Sequence, residues 1–82
     1  MVEWISVKDR LPEKNGEYLI VYRYFGYRSI KVCSFSTDLH RVDDYIFKEH
    51  RPGWYVCDSE VMYYERTGVS HWAELPEMPE DN

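Results

Sequence analysis

Tyr18-Leu19-Ile20-Val21-Tyr22-Arg23-Tyr24-Phe25-Gly26-Tyr27-Arg28-Ser29-Ile30-Lys31-Val32-Cys33-Ser34-Phe35 decides the fold. Two β-prone runs, Tyr18–Tyr24 and Tyr27–Phe35, flank Phe25-Gly26, where Gly26 supplies the positive φ that a tight hairpin turn needs. A two-residue loop makes opposed residue numbers sum to 51. Val21 then faces Ile30 and Leu19 faces Val32, so all four aliphatics share one face. The other face carries Tyr18, Ile20, Tyr22 and Tyr24 opposite Cys33, Lys31, Ser29 and Tyr27. Both faces are partly apolar, which predicts a sheet that is curled or covered on both sides.

Outward from the hairpin the pattern stays β. Strands are expected at Asp43–Lys48, Gly53–Cys57, Val61–Glu65 and Val69–Ala73, punctuated by Arg51-Pro52-Gly53, Asp58-Ser59-Glu60 and Thr67-Gly68. Ser36 to Arg41 reads as a polar, mobile loop. Ser6-Val7-Lys8-Asp9 can open one helical turn that Pro12 stops, and Lys14-Asn15-Gly16-Glu17 is a turn signal. The expected fold is mostly β: a small antiparallel curled sheet or partly open barrel of about five to six strands, with one short N-terminal helical turn. One domain spans residues 1–75, and residues 76–82 form an acidic, Pro-containing tail that reads as a fraying strap.

Composition narrows the function classes. In 82 residues the net charge is −5, and the last nine residues, with Glu74, Glu77, Glu80 and Asp81, contribute four of those charges. The body is therefore nearly neutral. Recognition must rest on shape, aromatics and local charge rather than a long-range field. An acidic chain is a poor duplex-nucleic-acid binder by phosphate neutralisation. Residues 1–16 lack an apolar stretch of the signal-peptide kind, the longest apolar run is Tyr18–Tyr22, and two cysteines are too few to staple a secreted mini-protein. A cytoplasmic location away from the membrane is expected.

Chemistry-bearing patterns are sparse. Cys33, Cys57, His40, His50 and His71 show no local ligand spacing, so no metal or cofactor is expected. Ser70 and His71 are strand neighbours that should point to opposite faces and fail to pair, and Asp43-Asp44 fail as a carboxylate pair for the same reason. The four glycines stand singly at 16, 26, 53 and 68, without a phosphate-cradling pattern. These features argue against an enzyme. The aromatics, 17% of residues, point instead to recognition. Arg23 and Arg28 should face each other near the hairpin turn, and like charges across a ladder ask for an anion or a carboxylate neighbour. Tyr22, Arg23, Tyr24, Tyr27 and Arg28 are thus the candidate ligand or partner site, while Trp4, Trp54, His71 and Trp72 are expected to be structural.

The opening Trp4-Ile5-Ser6-Val7-Lys8-Asp9-Arg10-Leu11-Pro12, then Gly16-Glu17-Tyr18-Leu19-Ile20-Val21, and the closing His71-Trp72-Ala73-Glu74-Leu75-Pro76-Glu77-Met78-Pro79 resemble domain-of-unknown-function family 551 along the whole chain. Two departures stand out: Ala73-Glu74 in place of a Met-Pro-like pair, and Met78 in place of a proline. The resemblance implies a short phage or prophage-associated protein and carries no activity or site residue. Together the readings predict a non-enzymatic accessory binding module, with an anti-defence role through a host protein or a phosphorylated, nucleotide-like small molecule. The alternative is a structural or adaptor domain contacting a larger phage or host protein. A generous ligand pocket in so short a chain would call for a homo-oligomer.

Overall fold

The computed structural model describes residues 2–57 and 62–76. Six strands, β1 (Ile5–Ser6), β2 (Gly16–Tyr24), β3 (Tyr27–Ser36), β4 (Gly53–Cys57), β5 (Tyr63–Glu65) and β6 (Val69–Ala73), form one unclosed antiparallel sheet in the order β1-β6-β2-β3-β4-β5. The hairpin register is the one the two-residue turn dictates, from Gly16 opposite Phe35 to Tyr24 opposite Tyr27. No helix among the described residues is long and apolar enough to cross a membrane.

The core lies on the tyrosine face. Tyr18, Ile20, Tyr22, Cys33, Phe35, Trp54 and Trp72 form one buried cluster, with Ile5, Val7, Leu11, Val56 and Val69 packed against it. Tyr18 sits edge-on to Trp72, Trp54 and Phe35 at 5.3, 6.1 and 6.4 Å, the geometry that aromatic quadrupoles favour. Its hydroxyl escapes burial without a partner by donating to Lys14 O at 2.8 Å.

A short connection forces the curl. Between β5 and β6 lie only Arg66, Thr67 and Gly68, and four Cα steps reach at most about 14 Å. In a flat sheet β5 and β6 would stand four strand spacings, about 19 Å, apart. The sheet must therefore bend until this segment can cross its concave face. Arg66 N donates to Trp54 O and Gly68 O accepts from Arg23 N, fixing the crossing at both ends. Gly68 is required there: its φ is +77°, and a Cβ would meet Arg23 O at 3.1 Å. Arg66 lays its guanidinium 4.5 Å over the Tyr22 ring.

Three sequence expectations change. Asp43–Lys48 is a turn rather than a strand, because Asp43 Oδ1 accepts from Tyr45 N and Ile46 N and folds the backbone onto itself. Ser36–Arg41 is not wholly a polar loop: Ser36 ends β3, Ser36 and Leu39 are buried, and Leu39–Arg41 is a 3₁₀ turn capped by Asp38. Leu39 packs so closely on Gly53 that a Cβ there would lie 2.6 Å from Leu39 Cδ1. The strand expected at Val61–Glu65 starts at Tyr63, with Val61 outside the described residues, as are residues 77–82 of the expected tail. The N-terminal turn is present, with Asp9 N and Arg10 N donating to Ser6 O.

Candidate binding surface at the end of the hairpin

Phe25 and Gly26 have φ of 49° and 83°, so both central turn residues are left-handed, as a type I′ turn requires. Its hand matches the strand twist, and it projects the hairpin end into solvent. Tyr24, Phe25 and Tyr27 are 60%, 84% and 76% exposed there. Phe25 touches only its neighbour Tyr24 ring-to-ring, at 4.5 Å, among the described aromatic contacts. Behind them on the outer face Arg23 and Arg28 stand directly opposite each other. Both are exposed, and neither is ion-paired among the described residues.

The candidate residues thus separate. Arg23, Tyr24, Tyr27 and Arg28 share the hairpin end, whereas Tyr22 is a core residue under Arg66. Of the aromatics expected to be structural, Trp54 and Trp72 are buried and Trp4 is 37% exposed. Trp4 stands beside His71, Val21, Ile30 and Arg28 around an open cleft of about 390 Å³.

Ser70 and His71 do meet, against expectation: His71 Nδ1 lies 2.9 Å from Ser70 Oγ. The cause is a bulge. Val21 pairs with His71 but Tyr22 pairs with Val69, so Ser70 is an extra residue whose side chain escapes the strand alternation. Ser70 Oγ also lies 3.3 Å from Val21 O, and its single proton serves one of these two neighbours. This is a tie between β6 and β2.

Residues 3–80 match the family model described as "Protein of unknown function (DUF551)". The chain belongs to that family. No curated protein and no solved structure matches it.

Two polar clusters of this DUF551 chain were not legible in its sequence. Arg51 forks onto Glu65 through Nη1 and Nη2 at 2.8 and 2.6 Å, tying the β3–β4 connection to β5. Asp38 accepts from His40 N and binds His50 Nδ1 at 2.9 Å, and the two imidazole rings lie 4.2 Å apart. Among the described residues no group of three or more His, Cys, Asp or Glu is placed to hold a metal ion. Cys33 and Cys57 form no disulfide. Burial pushes the Cys33 thiol up despite the nearby Arg66 guanidinium, which leaves it protonated and unreactive at neutral pH.

The hydrogen bonds from Arg51 hold the Glu65 carboxyl below its usual 4.5, and the hydrogen bond to His50 holds Asp38 below 3.8. A carboxylate depressed in the folded state stabilises it above the unfolded pKa and ceases to do so as pH falls through the folded one. Thermal melts of wild type and Arg51→Ala should differ most near pH 7. The two curves should converge below the ordinary carboxylate range, where Glu65 is protonated in both. A gap that persists at pH 2 would show that Arg51 acts through packing alone.

Proposed function

We propose that this protein is a non-enzymatic binding module that grips a partner protein with the end of the β2–β3 hairpin. One observation carries the reading: Tyr24, Phe25 and Tyr27 stand exposed together at a type I′ turn, with Arg23 and Arg28 behind them. Tyrosine and arginine are enriched among the residues that dominate interface energies, and rigid aromatic anchors lose little entropy on binding. In the phage or prophage setting suggested by the sequence resemblance, the partner would be a host protein of the bacterial cytoplasm. Interference with a host defence is then the sharper form of the proposal. A structural or adaptor role on a larger phage or host protein would use the same hairpin end and differ in the permanence of the contact.

The test is quantitative capture of host proteins by immobilised wild type and by Tyr24→Thr/Tyr27→Thr. Threonine retains β propensity at this exposed pair, so the variant should melt like wild type. The expected result is at least tenfold less of any specifically retained protein. Equal capture by both would remove the hairpin end from the reading.

The cleft supports a second reading, a phosphorylated small molecule. Its volume suits a small ligand, Trp4 offers a stacking face and Arg28 an anion fork. A rise in melting temperature with nucleoside phosphates, lost in Arg23→Ala/Arg28→Ala, is the outcome that would select it. No rise at millimolar ligand would discard it.

A further inference from the structure

The outer face of the hairpin has an order along its strands that the hairpin end does not explain. On β2 it runs Glu17, Leu19, Val21, Arg23, and on β3, in the opposite direction, Ser34, Val32, Ile30, Arg28. One end is therefore acidic, the middle aliphatic and the other end doubly basic. Ile30 and Val32 are 62% and 51% exposed in that middle, Leu19 is half-buried, and Val21 is buried at the floor of the cleft beside Trp4 and His71. Glu17, like the two arginines, is exposed and has no ion-pair partner among the described residues. By contrast the outer face of β4 is occupied, since Leu39 lies on Gly53 and Arg51 on Glu65. Among the described residues, the exposed aliphatics of this face are Ile30 and Val32 of β3, next to the half-buried Leu19 of β2.

We infer that this face receives a second copy of the same chain. A two-fold axis lying between two stacked sheets and perpendicular to the strands reverses strand direction while keeping β2 over β2 and β3 over β3. Arg23 then lies over Glu17 of the second copy, Leu19 over Val21, Ile30 over Val32 and Arg28 over Ser34, and each pairing occurs twice. Sheets stack about 10 Å apart, a gap that aliphatic side chains from both sides fill. Glu17 and Arg23 are six residues, about 20 Å, apart along the strand, so both ends of the stripe engage at once. The arrangement also answers the Arg23–Arg28 repulsion, because each arginine pair gains a carboxylate from the facing copy. Leu19 of the second copy comes over Val21, beside Trp4 and His71 at the cleft. The two hairpin ends point away from each other and stay open to a partner, so self-association and the proposed binding function are separable.

The experiment is sedimentation equilibrium of the full chain over a range of micromolar concentrations, with circular dichroism confirming the fold of every variant. Wild type should weigh about twice the 10.0 kDa chain mass. Glu17→Arg and Arg23→Glu should each weaken dimerisation at least tenfold by placing like charges face to face. Their mixture should recover it as a heterodimer, because positions 17 and 23 are then both basic in one variant and both acidic in the other, so each basic side chain of the pair lies over an acidic one. The doubly exchanged chain, Glu17→Arg/Arg23→Glu, should dimerise alone. Monomeric wild type at every concentration overturns the inference. So does a dimer indifferent to both charge reversals. Tyr24→Thr/Tyr27→Thr should dimerise as wild type does, so a failed self-association leaves the hairpin-end reading standing, and the reverse.

Discussion

Trp72→Ala should cost the fold a large share of its stability. Trp72 is a buried ring on β6 with β1 on one side and β2 on the other, and it meets Tyr18 edge-on at 5.3 Å. Its indole Nε1 donates to Arg10 O at 2.9 Å while the Arg10 guanidinium lies 5.6 Å over the ring. One side chain thus seals the concave face and pins the segment leading into β2. Truncating a buried tryptophan to alanine costs about 3–5 kcal/mol. A domain this small has a total stability of roughly 4–12 kcal/mol at 0.05–0.15 kcal/mol per residue, so the loss takes a large share of it. Trp72→Phe separates the two contributions: it keeps an aromatic ring against Tyr18 and removes the donor to Arg10 O, which belongs to an exposed residue and can turn to water, a loss of about 0.5–1.5 kcal/mol. Urea unfolding followed by far-ultraviolet circular dichroism reads both. A Trp72→Ala transition within about 1 kcal/mol of wild type would mean that the concave aromatic cluster is not what holds the sheet together.

That cluster also shows what the sequence could and could not reveal. The hairpin register was legible because a two-residue turn and a period of two leave one pairing that keeps Leu19, Val21, Ile30 and Val32 together. The identity of the buried face was not. Alternation gives two partly apolar faces, and the choice between them is made by the short Arg66–Gly68 crossing, a contact between chain-distant segments that bends the sheet toward the rings. Leu39 was hidden for a related reason: one leucine among polar residues carries no periodicity, yet it meets the bare backbone of Gly53. The Ser70–His71 contact depends on a bulge that nothing in the strand pattern announces. At the candidate site the opposed arginines followed from register alone, whereas burial of Tyr22 required the position of Arg66. Phe25 is legible in the sequence as well, because a bulky side chain at the first position of a type I′ turn is an anomaly in itself.

That anomaly carries the second large effect: Phe25→Asn should make the protein more stable and a poorer binder. Phe25 is held at φ +49°, a conformation that costs an ordinary L-residue about 1–2 kcal/mol and that asparagine tolerates much better. Asn-Gly is the favoured type I′ pair, so the substitution relaxes the turn while preserving the register. With 84% of the residue in solvent, little intramolecular packing is lost. A gain of about 1 kcal/mol raises the melting temperature of a domain this size by roughly 4–8 °C. Strain retained at an exposed position points to a contact made outside the chain, and the ring should be one of the anchors of the partner complex. Partner affinity should accordingly fall at least tenfold, about 1.4 kcal/mol, while Phe25→Tyr keeps most of it. The two readouts move in opposite directions, so general damage to the fold cannot produce the result. A stabilised variant that binds as wild type does would strip Phe25 of any role in recognition. A destabilised one would show that the ring, not the turn geometry, supports the hairpin end.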